Sequence, residues 1–206
     1  MPRALSEKEY SDFRIRLCQM ACRLFAEKGL AGVTMRELAS ALGVSAMTPY
    51  RYFRNKEEIL ATVCAEGFTR LAEALETADK ATLSAEDRLQ SLHLAYLEFA
   101  LANPNRYKLM LDNGQNGAET CPELHNALER CRKWLTGQIT DMVEMGRLNG
   151  NPRLIAYTLW SCLHGAISLQ FAGKMDTDCD LHEIISTATK SLLAAFTPPP
   201  VSAATP

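Results

Sequence analysis

A short stretch in the first third of the chain concentrates side chains that can bind phosphate. Five of its residues carry phenol or basic groups: Tyr50, Arg51, Tyr52, Arg54 and Lys56. Hydroxyl, guanidinium and ammonium groups are the donors with which proteins hold a nucleic-acid backbone. The alternative is a helical hairpin that only fills a core. Whether these residues bind phosphate or belong to a core hairpin depends on the helices and turns that carry them.

Two short helical patterns meet at a glycine turn around this stretch. Thr34 is a good N-cap, and Glu37 three residues later predicts a capping box. Gly43 stands where a helix needs a left-handed residue after its C-terminal end. Helix, glycine turn and helix form the layout that places a second helix in the major groove of DNA.

The start of the second helix is open to two interpretations because of Pro49. With Ser45 as N-cap, Pro49 falls in the first turn and removes only about one hydrogen bond. With Thr48 as N-cap, Pro49 takes the favoured first position, but the helix is too short to read bases. We predict the start at Ser45.

Four motifs of this region occur in order at a regular spacing. They are A-x-x-L-F-A-E-K-G from Ala21, T-M-R-E-L-A from Thr34, G-V-S from Gly43 and Y-R-Y-F-R-N-K-E-E-I-L from Tyr50. Together they resemble the DNA-binding domain of the tetracycline-repressor (TetR) family of bacterial transcription regulators. Further on, W-S-C-L-H-G from Trp160 is similar to the Trp-His-Gly signature of one class of C-terminal domain in that family.

The resemblance implies a set of DNA-binding residues. Four of them correspond to positions that hold the DNA backbone: Thr48, Tyr50, Tyr52 and Lys56. Ala46 and Met47 correspond to positions that face the bases, together with Arg36 from the preceding helix. The candidate set is completed by Thr34, Ser45 and Pro49. Phe53 is expected to pack in the core of the small domain.

Charge is distributed unevenly along the chain. The formal net charge is −2, yet residues 1–56 hold ten Lys and Arg against five Asp and Glu. The first 56 residues are therefore basic, and the remainder is acidic. This asymmetry suggests that only the N-terminal part meets a polyanion.

The chain as a whole predicts an all-α fold, because apolar residues repeat at helical spacing and no strand-like alternation appears. A polar, flexible segment is expected over residues 1–10, followed by a first helix over 11–28. We predict a three-helix helix-turn-helix domain over 1–56 and a helical bundle for ligand binding and dimerisation over 57–197. Residues 198–206 are predicted to be a disordered tail.

Two C-terminal helices are predicted to form a homodimer interface. Residues 152–172 are apolar on more than one face, and residues 180–196 carry an apolar stripe that includes Ile184, Ile185 and Leu192. A facing pair of such helices would bury both surfaces in a two-fold dimer. One recognition helix covers only a few base pairs, so the expected partner is double-stranded DNA with a two-fold operator.

A set of mostly aromatic residues is predicted to line a pocket for a small apolar or weakly polar effector. The set is Tyr96, Phe99, Met110, Trp134, Trp160 and His164. Such pockets are mostly apolar with a few polar anchors. The alternative is that these residues fill a core, with His164 as a satisfied core histidine.

The cysteines and histidines leave a second alternative, a metal or thiol sensor without an organic ligand. Cys121 and His125, and Cys179 and His182, have helical spacing, but neither pair has two further ligands nearby in sequence. We therefore predict no metal site. A helical protein–protein adaptor is a third possibility.

Other classes of protein are disfavoured by what the sequence lacks. It has no nucleophile–base pattern, no phosphate-binding glycine loop and no metalloprotease motif, so we predict neither catalysis nor a cofactor. It has no secretory signal, no C-x-x-C pair and no apolar run near ~18 residues. A cytoplasmic protein with reduced thiols and no membrane partner is expected.

Overall fold

The computed structural model describes residues 6–80, 83–113, 119, 121–176 and 178–199. Within those ranges the chain forms eight α-helices, one 3-10 helix and no strand, which confirms the predicted all-α fold. The helices are α1 (Glu7–Lys28), α2 (Met35–Ala41), α3 (Lys56–Ala78), α4 (Ala85–Ala102), α5 (Pro104–Asn113), α6 (Pro122–Glu144), α7 (Pro152–Phe171) and α8 (Leu181–Phe196). The 3-10 helix, Pro49–Arg51, lies between α2 and α3. None of these helices is long and apolar enough to cross a bilayer.

Helix α1 begins at Glu7, so the prediction of a flexible segment up to residue 10 is wrong for residues 6–10. The Ser6 hydroxyl accepts a hydrogen bond from the Glu9 amide at 3.2 Å, and the Glu9 carboxylate accepts one from the Ser6 amide at 2.8 Å. This capping box starts a polar first turn that apolar periodicity does not reveal. Residues 1–5, and the predicted tail from residue 200 onward, lie outside the described residues.

Cap signals place the starts of the later helices correctly. The Asn55 side chain accepts from the Glu58 amide at 2.9 Å before α3, and the Ser84 hydroxyl accepts from the Asp87 amide at 3.1 Å before α4. Helices α5, α6 and α7 each begin at a proline. Proline suits the first helical position because its missing N–H would have no intrahelical partner there.

The chain divides into two compact units. Unit 1 comprises the chain up to Arg70 together with Asn103–Glu129, and unit 2 comprises Leu71–Ala102 together with the chain from Arg130 onward. Helices α3 and α6 contribute residues to both units. The functional domain boundaries at residues 56 and 197 stay predictions.

Unit 1 is built around α1, which packs against α2 and α5. Leu17, Ala21 and Phe25 on α1 are almost completely buried, as is Leu38 on α2. Burial of this apolar surface supplies most of the stability of such a small unit.

Arg106 on α5 brings a charge into unit 1. Its guanidinium Nη1 donates to the Val63 carbonyl at 2.9 Å and lies 3.2 Å from the Glu66 carboxylate. The side chain is therefore both hydrogen-bonded and paired, as a buried charge must be.

Gly67 on α3 permits a close approach of α5 in unit 1. A Cβ atom at this position would overlap the Met110 thioether and lie 3.1 Å from the Arg106 Cγ. Met110 is only 1% exposed, so it has little room to move. The absence of a side chain at residue 67 thus sets how closely α3 and α5 pack.

Unit 2 has its own apolar core. Helices α4, α6 and α7 and the α6–α7 connector contribute its buried residues, which are Leu89, Ile139, Met142, Leu148, Ile155, Ala156 and Leu159. Three partly buried residues of α8 cover this core: Leu192, Leu193 and Phe196. In addition, the Asn149 amide donates to the Phe196 carbonyl at 2.7 Å, which fixes the end of α8 to the α6–α7 connector.

We expect Gly67→Ala to lower the free energy of unfolding by about 1–3 kcal/mol, because the added methyl group overpacks the Met110 site. Gly137→Ala is the matched control, since a Cβ atom there meets nothing within 4 Å in the middle of α6. The control should be neutral or more stable by up to ~1 kcal/mol. Urea denaturation of both variants measures the difference, and equal stabilities would contradict the close approach.

Candidate nucleic-acid interface

Thr34 is the N-cap of helix α2, as predicted, but the full capping box does not form. The Thr34 hydroxyl accepts from the Glu37 amide at 3.1 Å. The Glu37 carboxylate does not return to the cap; it binds the Lys28 ammonium at the end of α1. This hydrogen bond is the main cause that lowers the pKa of Glu37. The reciprocal bond fails because a charged partner lies within reach and is a stronger donor than a main-chain amide.

The turn after α2 is a glycine C-cap, as predicted. Gly43 has φ +68°, which favours glycine over residues with a Cβ atom. The Val44 amide donates to the Ala39 carbonyl at 3.0 Å, and the Gly43 amide donates to the Ser40 carbonyl at 3.1 Å. These two bonds form a Schellman motif, which ends α2 sharply.

The predicted start of the second helix at Ser45 is wrong. Pro49 is the first residue of the 3-10 helix, and Thr48 stands at its N-cap. The bonds run three residues back, from the Thr48 amide to the Ser45 carbonyl at 2.9 Å and from the Arg51 amide to the Thr48 carbonyl at 3.1 Å. Because Pro49 has no N–H, it cannot donate the four-residue bond that an α-helix from Ser45 would need first.

Most of the predicted base-facing and flanking residues lie on the surface of unit 1. Met47 is 69% exposed and Tyr50 is 50% exposed. Thr34, Arg36, Ser45 and Ala46 are also exposed, whereas Thr48 is half-buried and Pro49 is buried. The turn therefore presents Met47 and Tyr50 outward and uses Pro49 as its anchor.

Tyr52 lies in an aromatic cluster that the sequence did not reveal. Its ring centroid is 4.6 Å from that of Tyr10 and 4.6 Å from that of Phe13, both on α1, and the residue is only 8% exposed. Phe53 is 2% exposed, which confirms its predicted place in the core, and the Arg14 guanidinium lies 4.6 Å from its ring centroid. The spacing of Tyr10 and Phe13 on one helical face was the available signal.

Lys56, the first residue of α3, binds main-chain carbonyls of the connector between α1 and α2. Its ammonium donates to the Leu30 carbonyl at 2.7 Å and to the Val33 carbonyl at 3.0 Å. A lysine can donate three hydrogen bonds, so two of its donors serve the protein itself.

An open groove of about 300 Å³ separates the start of α2 from the residues around the start of α3. It is lined by Val33, Thr34, Met35, Tyr50, Arg54, Asn55, Lys56 and Glu57. The hydroxyl groups of Thr34 and Tyr50 and the basic side chains of Arg54 and Lys56 are of the types that hold phosphate oxygens.

The residues predicted to line an effector pocket are divided between the units. Tyr96, Phe99, Trp134, Trp160 and His164 belong to unit 2, whereas Met110 belongs to unit 1. Trp160 links part of the set, since its indole N–H donates to the Tyr96 hydroxyl at 3.0 Å and its ring stacks on His164 at 5.7 Å. The Arg130 guanidinium donates to the Glu76 carboxylate at 2.8 Å and is the main cause that lowers the pKa of that carboxyl, to which the Trp134 side chain contributes.

The thiols and histidines do not form a metal centre in the described part of the chain. No group of three or more His, Cys, Asp or Glu side chains there could hold a metal ion. Burial raises the pKa of both Cys18 and Cys64 to about 12, so these thiols stay protonated and unreactive at neutral pH. A thiol-sensing role is disfavoured for these two residues.

Two family models match the chain. One, described as bacterial regulatory proteins of the tetR family, matches residues 17–63. The other, described as a tetracyclin repressor-like C-terminal domain, matches residues 89–192, about half of the chain. The first match covers α2, the glycine turn and the 3-10 helix described above.

The chain is also similar to a curated relative and to solved structures over most of their length. The HTH-type transcriptional regulator Rv1816 of Mycobacterium tuberculosis is 22% identical over 215 residues, which cover 88% of this chain and 91% of that protein. A tetR-family regulatory protein from Rhodococcus RHA1 has a TM-score of 0.73 at 22% identity, covering 89% of this chain and 96% of that one. The fatty acid degradation regulator FadR of Bacillus halodurans has a TM-score of 0.70 at 19% identity, with 93% and 97% covered. At these identities the two structures establish a shared fold.

Tyr52→Ala should lower the free energy of unfolding by about 2–4 kcal/mol, because it removes a buried ring and two aromatic contacts. Tyr52→Phe keeps the stacking and should cost less than about 1 kcal/mol. Tyr50→Ala, at a half-exposed ring one residue beyond Pro49, should stay within about 0.5 kcal/mol of the wild type. Denaturant unfolding monitored by circular dichroism tests the series, and a similar loss for Tyr50→Ala and Tyr52→Ala would refute the packing role.

Proposed function

We propose a function from one established premise: the chain belongs to the TetR family of bacterial regulatory proteins. It is a DNA-binding transcription regulator with an N-terminal helix-turn-helix and a C-terminal helical domain. Regulators of this family bind DNA and act as dimers. The further proposal is that this chain is a ligand-responsive repressor, which occupies a palindromic operator in the cytoplasm.

The observation that carries the DNA-binding proposal is the outward presentation of Met47 and Tyr50 by the proline-anchored turn. Arg36 is exposed on α2, and Thr34 shares the groove with Tyr50. We assign base contacts to Met47, Ala46 and Arg36. Backbone contacts are assigned to Thr34, Tyr50 and Arg54, which line the groove, with Ser45, Thr48 and Pro49 shaping the turn. The excess of basic residues in the first 56 positions supports this assignment.

The proposed dimer forms through α7 and α8. Four large apolar residues of α7 are exposed in the single chain: Leu154 at 62%, Tyr157 at 42%, Leu169 at 49% and Phe171 at 40%. A second copy would cover this surface in a two-fold arrangement. The helix-turn-helix elements of the two copies, related by the same axis, then match the two halves of a palindromic operator.

The proposed effector is a small apolar or weakly polar molecule bound by the mostly aromatic set. Tyr96, Trp160 and His164 offer ring faces with a few polar atoms, which is the composition of many ligand sites. Phe99 and Trp134, which also belong to unit 2, complete the proposed lining. One protein of the same fold is a ketosteroid transcriptional regulator and another is a fatty acid degradation regulator. We propose an effector of low polarity for this chain on the same pattern.

The proposed response runs through α3. This helix is continuous from Lys56 to Ala78 and contributes residues to both units. A ligand can shift the DNA-bound population only by binding one arrangement of the protein better than another. A change in the tilt of α3 would alter the distance between the helix-turn-helix elements of the two copies in the dimer. Because the half-sites of an operator have a fixed spacing, this change would lower the affinity for DNA.

Binding to a duplex that the wild-type protein selects from a random-sequence pool should fall steeply with salt concentration. Tyr50→Ala should weaken binding to all duplexes, whereas Met47→Ala should change the preference among them. Leu94→Ala, at an exposed position on α4, is the control and should bind as the wild type does. Anisotropy titrations measure these affinities, and sedimentation should give a dimer at micromolar concentration. Unchanged affinity of Tyr50→Ala, or a monomer, would contradict the proposal.

An effector found by thermal-shift screening of lipophilic compounds should weaken operator binding roughly 5- to 150-fold, equivalent to a coupling of about 1–3 kcal/mol. Linkage requires the operator to weaken effector binding by the same factor. Calorimetric titration of the free and the DNA-bound protein measures both sides. A compound with identical affinity for the two forms would refute the mechanism while leaving the DNA-binding function intact.

A further inference from the structure

Lys56 occupies a position that helix formation alone disfavours. It is the first residue of α3, where the partial positive charge of the helix N-terminus repels a cation. Glu57 and Glu58, which follow it, are the residue types that suit this end of a helix. The presence of a lysine here therefore needs a reason other than the start of α3.

The reason lies in two carbonyl groups that the Lys56 ammonium binds. Leu30 and Val33 belong to the connector between α1 and α2, and their carbonyls lie 2.7 and 3.0 Å from the Lys56 Nζ. Val33 is completely buried, and its own amide reaches the Leu30 carbonyl only at a long 3.4 Å. Without Lys56 both carbonyls would lose a charged donor in a partly buried site, which is costly.

These bonds join two segments that line the groove. Lys56, Tyr50 and Thr34 all line it, and Val33 immediately precedes Thr34 at the start of α2. The Lys56 ammonium thus links the start of α3 to the connector that precedes Thr34. Loss of these two bonds would release that connector from α3, so the spacing of Thr34 and Tyr50 would be held less firmly.

We propose that Lys56 is a positioning residue for DNA recognition, which fixes the spacing of Thr34 and Tyr50 by binding the connector carbonyls. This inference rests on the proposed DNA-binding role of unit 1. It differs from a phosphate contact, in which the ammonium would act on the DNA directly. Two of the three donors of Lys56 are already engaged within the protein.

The two roles predict different dependence on salt and on sequence. A phosphate contact releases counterions, so its loss lowers the slope of log affinity against log salt by about 0.9 per contact, or roughly 2 in a dimer. Such a loss weakens binding to all sequences alike. Loss of a positioning bond leaves the slope unchanged and weakens selective binding, which needs correct geometry, much more than non-selective binding.

The test compares Lys56→Met with the wild type on a pool-selected duplex and on a scrambled duplex of the same length. We expect a roughly 10- to 100-fold loss of affinity for the selected duplex, because two hydrogen bonds to a charged group are lost. The scrambled duplex and the salt slope should change little. Arg54→Met, at an exposed basic residue that lines the groove, is the matched control and should lower the slope and affect both duplexes alike.

A measurement without DNA separates this inference from the proposed function. Hydrogen exchange of amides in residues 30–38 should be faster in DNA-free Lys56→Met, because the connector has lost its link to α3. If the wild type selects no duplex, the DNA-binding proposal fails, and unchanged exchange in the variant overturns the positioning role independently. Should Lys56→Met not fold, Lys56→Gln carries the same comparisons, since its amide can donate to one carbonyl without a charge. A slope lowered by about 2, with equal losses on both duplexes, would show a phosphate contact instead.

Discussion

The DNA-reading part of this protein consists of elements too short to be stable by themselves. Helix α2 has seven residues and the 3-10 helix has three, whereas isolated helices in water are marginal below about 12–15 residues. Their shape is therefore imposed by side chains from the longer helices around them. Lys28 of α1 holds Glu37, Tyr10 and Phe13 of α1 hold Tyr52, and Lys56 of α3 holds the connector before α2. These contacts therefore fix the positions of α2 and the 3-10 helix.

These supporting contacts explain why two predicted DNA residues are engaged within the protein. Tyr52 and Lys56 resemble family positions that hold the DNA backbone, yet one is buried in an aromatic cluster and the other binds two carbonyls. A side chain can serve both roles only with atoms left over, such as the third ammonium donor of Lys56. Tyr50, by contrast, keeps half of its surface exposed.

The packing of α5 on α3 in unit 1 depends on one buried charge and one close contact. Arg106 is buried on α5, and it is tolerated because Val63 and Glu66 of α3 accept its hydrogen bonds. Gly67, next to them on α3, leaves the space that Met110 fills. The charge therefore fixes the register of α5 along α3, since sliding α5 would leave the guanidinium without acceptors.

The sequence by itself determined the helical class, most helix starts and the turn at Gly43, because these depend on caps and periodicity within a few residues. It also determined the family, through motifs in order, and the exposed surface around Met47 and Tyr50. The prediction placed the start of α1 too late, because the first turn of this helix is polar. It also predicted an α-helix from Ser45, which Pro49 prevents. Only the tertiary structure decided that Glu37 turns to Lys28, that Tyr52 stacks on α1 and that Lys56 binds Leu30 and Val33. These choices are made between partners far apart in sequence, and a hydrogen-bond donor or a ring goes to whichever acceptor or surface the folded chain brings within reach.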